Sequence, residues 1–268
     1  MQGNIKASNN SQSISIKMKT LSLLLAATTI VSGATFAAQT LYKDYPADVM
    51  PELSESGEFP VGVTTMEVTY PEAAMTMEGE METRALTLEV WYPAQKATQN
   101  TLYSDETRSG QVFEIQAEAS RDVAIAESES KFPIVVVSHG YTGYRTLMYY
   151  LGEHLASHGY VVAAIDHTDS TNKDVNFAEN PYSGFPSTLL NRSRDQVFTL
   201  NAVTDSEFFN ASVDATKAGV IGYSMGGFGA VSTVGGCYAF NDEAAATFTG
   251  TKDPAVIALV KQALNTCA

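Results

Sequence analysis

Residues 219–230 read GVIGYSMGGFGA, and within them Ser224 stands with Gly222 two residues before it and Gly226 two residues after. A serine hydroxyl attacks a carbonyl only when one group takes its proton and others hold the charge that develops on the carbonyl oxygen. The G-x-S-x-G spacing alone is weak, because with Gly and Ser at about 7% each a chain of this length holds about 0.1 such match by chance. Its context is stronger: AGVI upstream is a buried-strand run and GGFGA downstream can open a helix, the strand–turn–helix setting of an exposed nucleophile. In so sharp a turn a side chain at 222 or 226 would collide with backbone. The serine is held strained, with its Oγ above the sheet and a helix N-terminus behind it. The bland alternative is a glycine-rich turn with a capping serine.

A second stretch, SHGYTGYR at 138–145, follows the apolar run PIVVV. Acyl transfer needs two backbone N–H groups aimed at the oxyanion, one from the residue after the nucleophile and one from a loop after an earlier strand. Met225 supplies the first and Tyr141 the second, with Gly140 and Gly143 letting that loop approach closely.

The elements that must position these groups are visible as patterns. VGVTTMEVTY (61–70) and RALTLEVWYPA (84–94) alternate and predict an antiparallel pair of strands, with PEAAMTMEGEMET between them a polar loop. Residues 95–132 lack apolar periodicity and read as a long surface excursion. PIVVVSH (133–139) and YVVAAID (160–166) are buried-strand runs. The intervening YRTLMYYLGEHLASHG sets Leu147, Leu151 and Leu155 on one helical stripe, giving a parallel crossover that ends at Gly159 as a left-handed cap. RDQVFTLNAVTDSEFF predicts a further helix and KAGVIGYS a third buried strand. The sum is a mostly parallel α/β sheet with an antiparallel start.

VVVSHGYTGYRTLMYYLGEHLASHGYVVAAIDHTD followed by GYSMGGFGA resembles the secreted platelet-activating-factor acetylhydrolase and dienelactone-hydrolase-like branch of the α/β-hydrolase superfamily. It is also similar to bacterial cutinase-type polyesterases, which share the G-Y-T loop, the LASHG helix end and a G-x-S-M-G-G elbow. The resemblance covers roughly residues 59–236. It implies an α/β-hydrolase fold and a serine esterase cleaving carboxylic esters, with Ser224 as nucleophile, the Tyr141 and Met225 amides as oxyanion hole, Gly222 and Gly226 as elbow glycines, and no cofactor or metal. Dienelactone hydrolases proper carry cysteine at the elbow. Serine at 224 moves the expectation toward carboxylic esters: short-chain esters, phospholipid acetyl esters or polyesters.

In this superfamily the triad acid and histidine follow the serine along the chain. Here the four histidines, His139, His154, His158 and His167, all precede Ser224. Scaffold, surface or helix-dipole roles are expected for them, with His167 the first to test as a base. Asp242 and Asp253 follow the elbow too early to serve as the acid. The triad acid and histidine are therefore expected to be absent and the domain to be truncated after the elbow. A serine peptidase of the same fold and a catalytically inert domain are the competing readings.

Residues 1–17 are polar, and from Met18 the run MKTLSLLLAATTIVSGATFAAQT has the layout of a secretory signal, with Thr35 and Ala37 at the −3 and −1 sites. The expected division is residues 1–37 as extension and signal and 38–268 as the hydrolase domain, secreted or periplasmic, with no membrane segment after cleavage. The formal net charge of −14 becomes −17 when residues 1–37, which carry three lysines and no acid, are removed. Such a surface repels nucleic acid and anionic lipid, and the partner that the resemblance implies is a small-molecule or lipid-like ester. Cys237 and Cys267 are the two cysteines. A bridge between them would contribute about 3–4 kcal/mol, and two free buried thiols are the alternative.

Overall fold

The computed structural model describes residues 54–76, 78–107 and 109–265. The signal segment 1–37 and Cys267 lie outside the described residues. Seven strands form one sheet in the order β3-β4-β1-β2-β6-β5-β7. Their bounds are β1 Val61–Met75, β2 Met81–Pro93, β3 Asn100–Glu106, β4 Val112–Arg121, β5 Phe132–Ser138, β6 Val161–Asp166 and β7 Val213–Gly222. The helices are α1 Tyr149–Ser157, α2 Phe185–Asp205, α3 Met225–Thr233, α4 Asp242–Thr249 and α5 Pro254–Leu264.

β6, β5 and β7 run parallel, and β2 joins them antiparallel through β6. Side chains alternate across a strand, so a strand covered on both faces must be apolar throughout. β6 shows this directly: Val161, Ala163 and Ile165 enter a core with Leu86, Leu88, Tyr92 and Phe209, while Val162 and Ala164 enter a second core with Trp91, Tyr103 and Ala156. Parallel strands share one carboxyl edge, and this puts Ser138, Asp166 and Gly222, with the loops that follow them, at the same end of the sheet.

Three expectations are corrected. The polar loop between the first two strands shrinks to residues 76–80, because β1 resumes pairing with β2 at Ala74 after a register shift beyond Tyr70. Residues 95–132 are not a bare excursion: β3 and β4 pair antiparallel, and β4 meets β1 in parallel at Gly62 and Val63. Inward positions there are filled by Thr101, Tyr103 and Asp105 on β3 and by Ile115, Ala117 and Ala119 on β4, so that polar and small residues dilute the apolar signal of Tyr103 and Ile115. The buried face of α1 is Gly152, Ala156 and Ser157, and the leucine stripe is only partly covered. Gly152 lies so close to the sheet that a Cβ there would sit 2.5 Å from the Trp91 ring. Gly159 does take the left-handed conformation, at φ +90°.

The predicted helix at 194–209 begins nine residues earlier, at Phe185, with Pro186 in its first turn. Its buried face is largely polar, comprising Asn191, Arg192, Asp195, Gln196 and Thr199. β7 ends the described sheet, and most of its residues are exposed, so the KAGVIGYS run expected as a buried strand is corrected to a strand paired on one side only. No helix among the described residues is long and apolar enough to cross a membrane.

Candidate active site

β7 runs straight into a turn whose apex is Ser224, at φ +52° and ψ −117°, and α3 starts at the next residue. A non-glycine residue at positive φ is costly and survives only where its surroundings impose it. The imposition here is steric. A Cβ on Gly226 would fall inside the van der Waals envelope of the Ser138 carbonyl and 2.7 Å from that of His139. A Cβ on Gly222 would sit 2.5 Å from the Gly227 nitrogen. The Tyr223 N–H donates to the Ser138 carbonyl at 3.0 Å, fastening the turn to the end of β5.

Ser224 is exposed, and its hydroxyl makes no hydrogen bond among the described residues. The loop after β5 comes against it: a Cβ on Gly140 would lie 3.1 Å from that of Ser224. That loop is held by the Thr142 N–H donating to the Ser170 carbonyl at 2.7 Å and the Gly143 N–H to that of Gly140 at 3.0 Å. Neither the Tyr141 nor the Met225 N–H donates to another group among the described residues. The two amides nominated from the sequence are thus both near Ser224 and both without an acceptor.

A cavity of about 290 Å³ adjoins this loop. Gly140, Tyr141, Tyr144, Leu147 and Tyr223 form one side, and Glu106, Thr107 and Phe113 from the β3–β4 hairpin form the other. Phe113 packs on the Tyr144 ring with centroids 6.1 Å apart, and Asn172 bonds the Glu106 carbonyl. This second wall was not anticipated, because polar and small residues interrupt the apolar positions of the hairpin.

No histidine is available to Ser224. His167 accepts from the Ser138 hydroxyl at Nε2 and donates from Nδ1 to Asp195, both at 2.8 Å. The polarity follows from Asp195 being the acceptor. His139 donates from Nδ1 to the Gly140 carbonyl at 2.6 Å and accepts the His167 N–H at Nε2. The expectation that His167 would be the first base to test is therefore corrected: both of its nitrogens are used and it is 1% exposed. Ser138, His167 and Asp195 do form a serine–histidine–aspartate array, but Ser138 is 0% exposed at the end of β5 and no substrate reaches it. His154 and His158 stack at 4.5 Å at the close of α1, before β6 begins, on the opposite edge of the sheet. Asp242 pairs with Lys261 at 2.7 Å, and Asp253 caps α5 through the Ala255 N–H at 2.8 Å. Cys237 is not a free thiol. Among the described residues no three His, Cys, Asp or Glu side chains are grouped to hold a metal ion.

The buried cluster is electrostatically tense. Burial, then the Arg192 charge, holds both His139 and His167 well below the usual histidine range. Burial pushes the Asp195 carboxyl up, opposed by its two bonds from Arg84. A histidine depressed in the folded state destabilises the fold once the unfolded chain starts taking up protons, near pH 6.5. Lowering the pH from 7 to 5.5 is therefore expected to cost up to about 2.5 kcal/mol of stability, from proton uptake by the two histidines in the unfolded chain. Urea midpoints measured across that window check this, and a midpoint that holds steady or rises contradicts it.

A family model described as PET hydrolase-like matches residues 124–238. Cutinase est1 of Thermobifida alba is 31% identical over 139 residues, which cover 46% of this chain and 40% of that enzyme. Platelet-activating factor acetylhydrolase of Canis lupus familiaris is 49% identical over 41 residues, 15% of this chain and 9% of that protein. Among solved structures, a ferulic acid esterase from Streptomyces cinnamoneus superposes with a TM-score of 0.52 at 23% identity, covering 68% of this chain and 57% of that one. The chain therefore aligns with less than half the length of the curated relatives it matches. The fold is the α/β-hydrolase fold, with its antiparallel start extended by the β3–β4 hairpin.

Proposed function

We propose that the whole protein, an α/β-hydrolase-fold chain similar to cutinases, is an exported carboxylic ester hydrolase working through an acyl-enzyme at Ser224. One observation carries the reading: two amides without acceptors, those of Tyr141 and Met225, adjoin an exposed serine with no hydrogen bond at the apex of a strained turn. Ser224 Oγ bonds to the ester carbonyl carbon as its proton passes to a histidine of the whole protein, since His139 and His167 have both ring nitrogens engaged and His154 and His158 stand at the close of α1, away from the turn. The carbonyl pair moves onto oxygen and is held by the two amides. Collapse expels the alcohol with that proton. Water then attacks the acyl carbon, releases the acid and returns a proton to Ser224.

The substrate class is neutral or zwitterionic esters: short acyl esters, phospholipid acetyl esters or polyester units. The cavity beside Gly140 is walled by Phe113, Tyr144, Leu147 and Tyr223, which suits an apolar acyl or alcohol group. The similarity to a PET hydrolase-like family and to a cutinase supports the same class. Residues 1–37 act as extension and cleaved signal, and residues 38–268 as the domain. Oxidation outside the cell closes a Cys237–Cys267 bridge. A second reading, that residues 38–268 alone are inert, is favoured by the full engagement of His139 and His167.

A fluorophosphonate probe tests both. The whole protein is expected to label at Ser224, and residues 38–268 alone to label at least about 100-fold more slowly, as a serine without its base does. Labelling at another residue, or no labelling of the whole protein, overturns the first reading. Equal rates overturn the second.

A further inference from the structure

α2 crosses beneath both halves of the candidate oxyanion site, and its buried face touches each of them. Arg192 Nη1 donates to the His139 carbonyl at 3.1 Å, and Nη2 donates to Ser170 Oγ at 2.8 Å. Ser170 in turn accepts the Thr142 N–H. One helical turn further along, Gln196 Nε2 donates to the Gly226 carbonyl at 3.1 Å, and Gln196 Oε1 accepts from Thr233 Oγ1 at 2.6 Å. Residues four apart on a helix stand on one face. Two side chains of one stripe thus grip the carbonyls that bracket the Tyr141 and Met225 amides. Between them Asp195 fastens His167, and through it Ser138, to the same turn of helix.

Packing alone does not call for this. Burying a guanidinium and an amide costs stability that a same-sized apolar pair would not. Burial brings the Arg192 guanidinium down to about 10. Its Nε atom, moreover, finds no acceptor. Gly229 lets α3 lie directly on the stripe, since a Cβ there would stand 2.8 Å from Gln196 Nε2 and collide with Arg192. An apolar contact would tolerate sliding of α3 along α2. Directional bonds to two carbonyls fix both loops to one rigid element.

We propose that Arg192 and Gln196 are positioning residues that set the separation of the Tyr141 and Met225 amides, the buried polar stripe of α2 being the gauge for the oxyanion hole. The catalytic consequence rests on the ester-hydrolase reading; the positioning itself does not.

The test uses Gln196→Met, which keeps the length of the side chain and removes its donor and acceptor, and Thr233→Val, a milder change that frees the same amide. Hydrogen exchange of the full chain is expected to speed up about tenfold or more at the Thr142, Gly143, Gly226 and Gly227 amides, with β5 and β6 unchanged, as local opening requires. In the whole protein, kcat for p-nitrophenyl acetate is expected to fall about 100-fold for Gln196→Met with KM within threefold, the effect of misplacing an oxyanion donor by about 1 Å. Arg192→Lys is expected to lose a similar factor, and the double variant to lose far less than the product, because each acts on one half of the same hole. Faster exchange spread evenly over β5 and β6, unchanged exchange in both variants, or multiplicative kcat losses would overturn the proposal. Altered exchange with turnover that survives Ser224→Ala would sink the ester reading and leave the gauge standing. Unaltered exchange with serine-dependent turnover would do the reverse.

Discussion

Ser224→Ala in the whole protein is expected to lower ester turnover by about four to six orders of magnitude, the loss that follows when an acyl-enzyme cannot form and only binding and oxyanion contacts remain. The same change is expected to leave folding almost untouched. Ser224 is exposed, its hydroxyl bonds to nothing among the described residues, and it caps α3 without a side-chain hydrogen bond. Alanine at φ +52° carries the same backbone strain as serine, so the variant inherits the cost instead of adding to it. Hydrolysis of p-nitrophenyl acetate beside a thermal melt measures both quantities. Residual activity within tenfold of the parent shows that another residue attacks, and a melting point lowered by several degrees shows that the hydroxyl has a structural duty.

Gly226→Ala is expected to be the most damaging methyl group that can be added to the turn, costing more than about 3 kcal/mol. The new Cβ would overlap the Ser138 carbonyl and lie 2.7 Å from the His139 oxygen, and both are backbone atoms at the end of β5. β5 is paired on one side with β6 and on the other with β7, so it has nowhere to move. Gly219→Ala is the control. Its Cβ would meet only Val135 Cγ2, at 3.9 Å, an ordinary contact, so its stability should stay within about 0.5 kcal/mol of the parent. Urea unfolding of both variants distinguishes a steric demand at 226 from a general intolerance of bulk. Equal midpoints would refute the collision.

The parts of this molecule that were legible in its sequence are those where one physical demand dominates. β5 and β6 are covered on both faces, so their residues read as unbroken apolar runs. The glycines at 222 and 226 are required by backbone that would otherwise be struck, and their spacing around Ser224 announces the turn. Legibility fails where several residue types satisfy the same demand. β4 buries Ile115, Ala117 and Ala119 in proper alternation, but two of the three are alanines, and on β3 the buried Tyr103 stands between Thr101 and Asp105. The hairpin's contribution to the cavity was therefore hidden. α2 hid its first half for the opposite reason. Thr188, Asn191 and Arg192 recur there at helical spacing, and a polar stripe at that spacing resembles a solvent face until the partners that bury it are known. The histidines were legible only as residue types, since whether a ring nitrogen is free depends on what surrounds it.

The order of the strands has a consequence for when the site comes into being. β7 follows all its sheet neighbours in the chain, yet pairs with β5 alone. During synthesis from the N-terminus, β1 to β6 can form most of the two cores before Val213–Gly222 has emerged, Val213 completing the first of them, and domains commonly assemble in that direction. Docking of β7 is then the step that lifts Ser224 to the carboxyl edge beside Gly140. Among the described strands β7, like β3 at the other end of the sheet, is hydrogen-bonded on one side only, so it has fewer ladder bonds to break than the strands between them. In the Ser224 reading, a chain whose β7 has not yet docked holds the serine away from its two amides, so the site is among the last parts of the described sheet to be assembled.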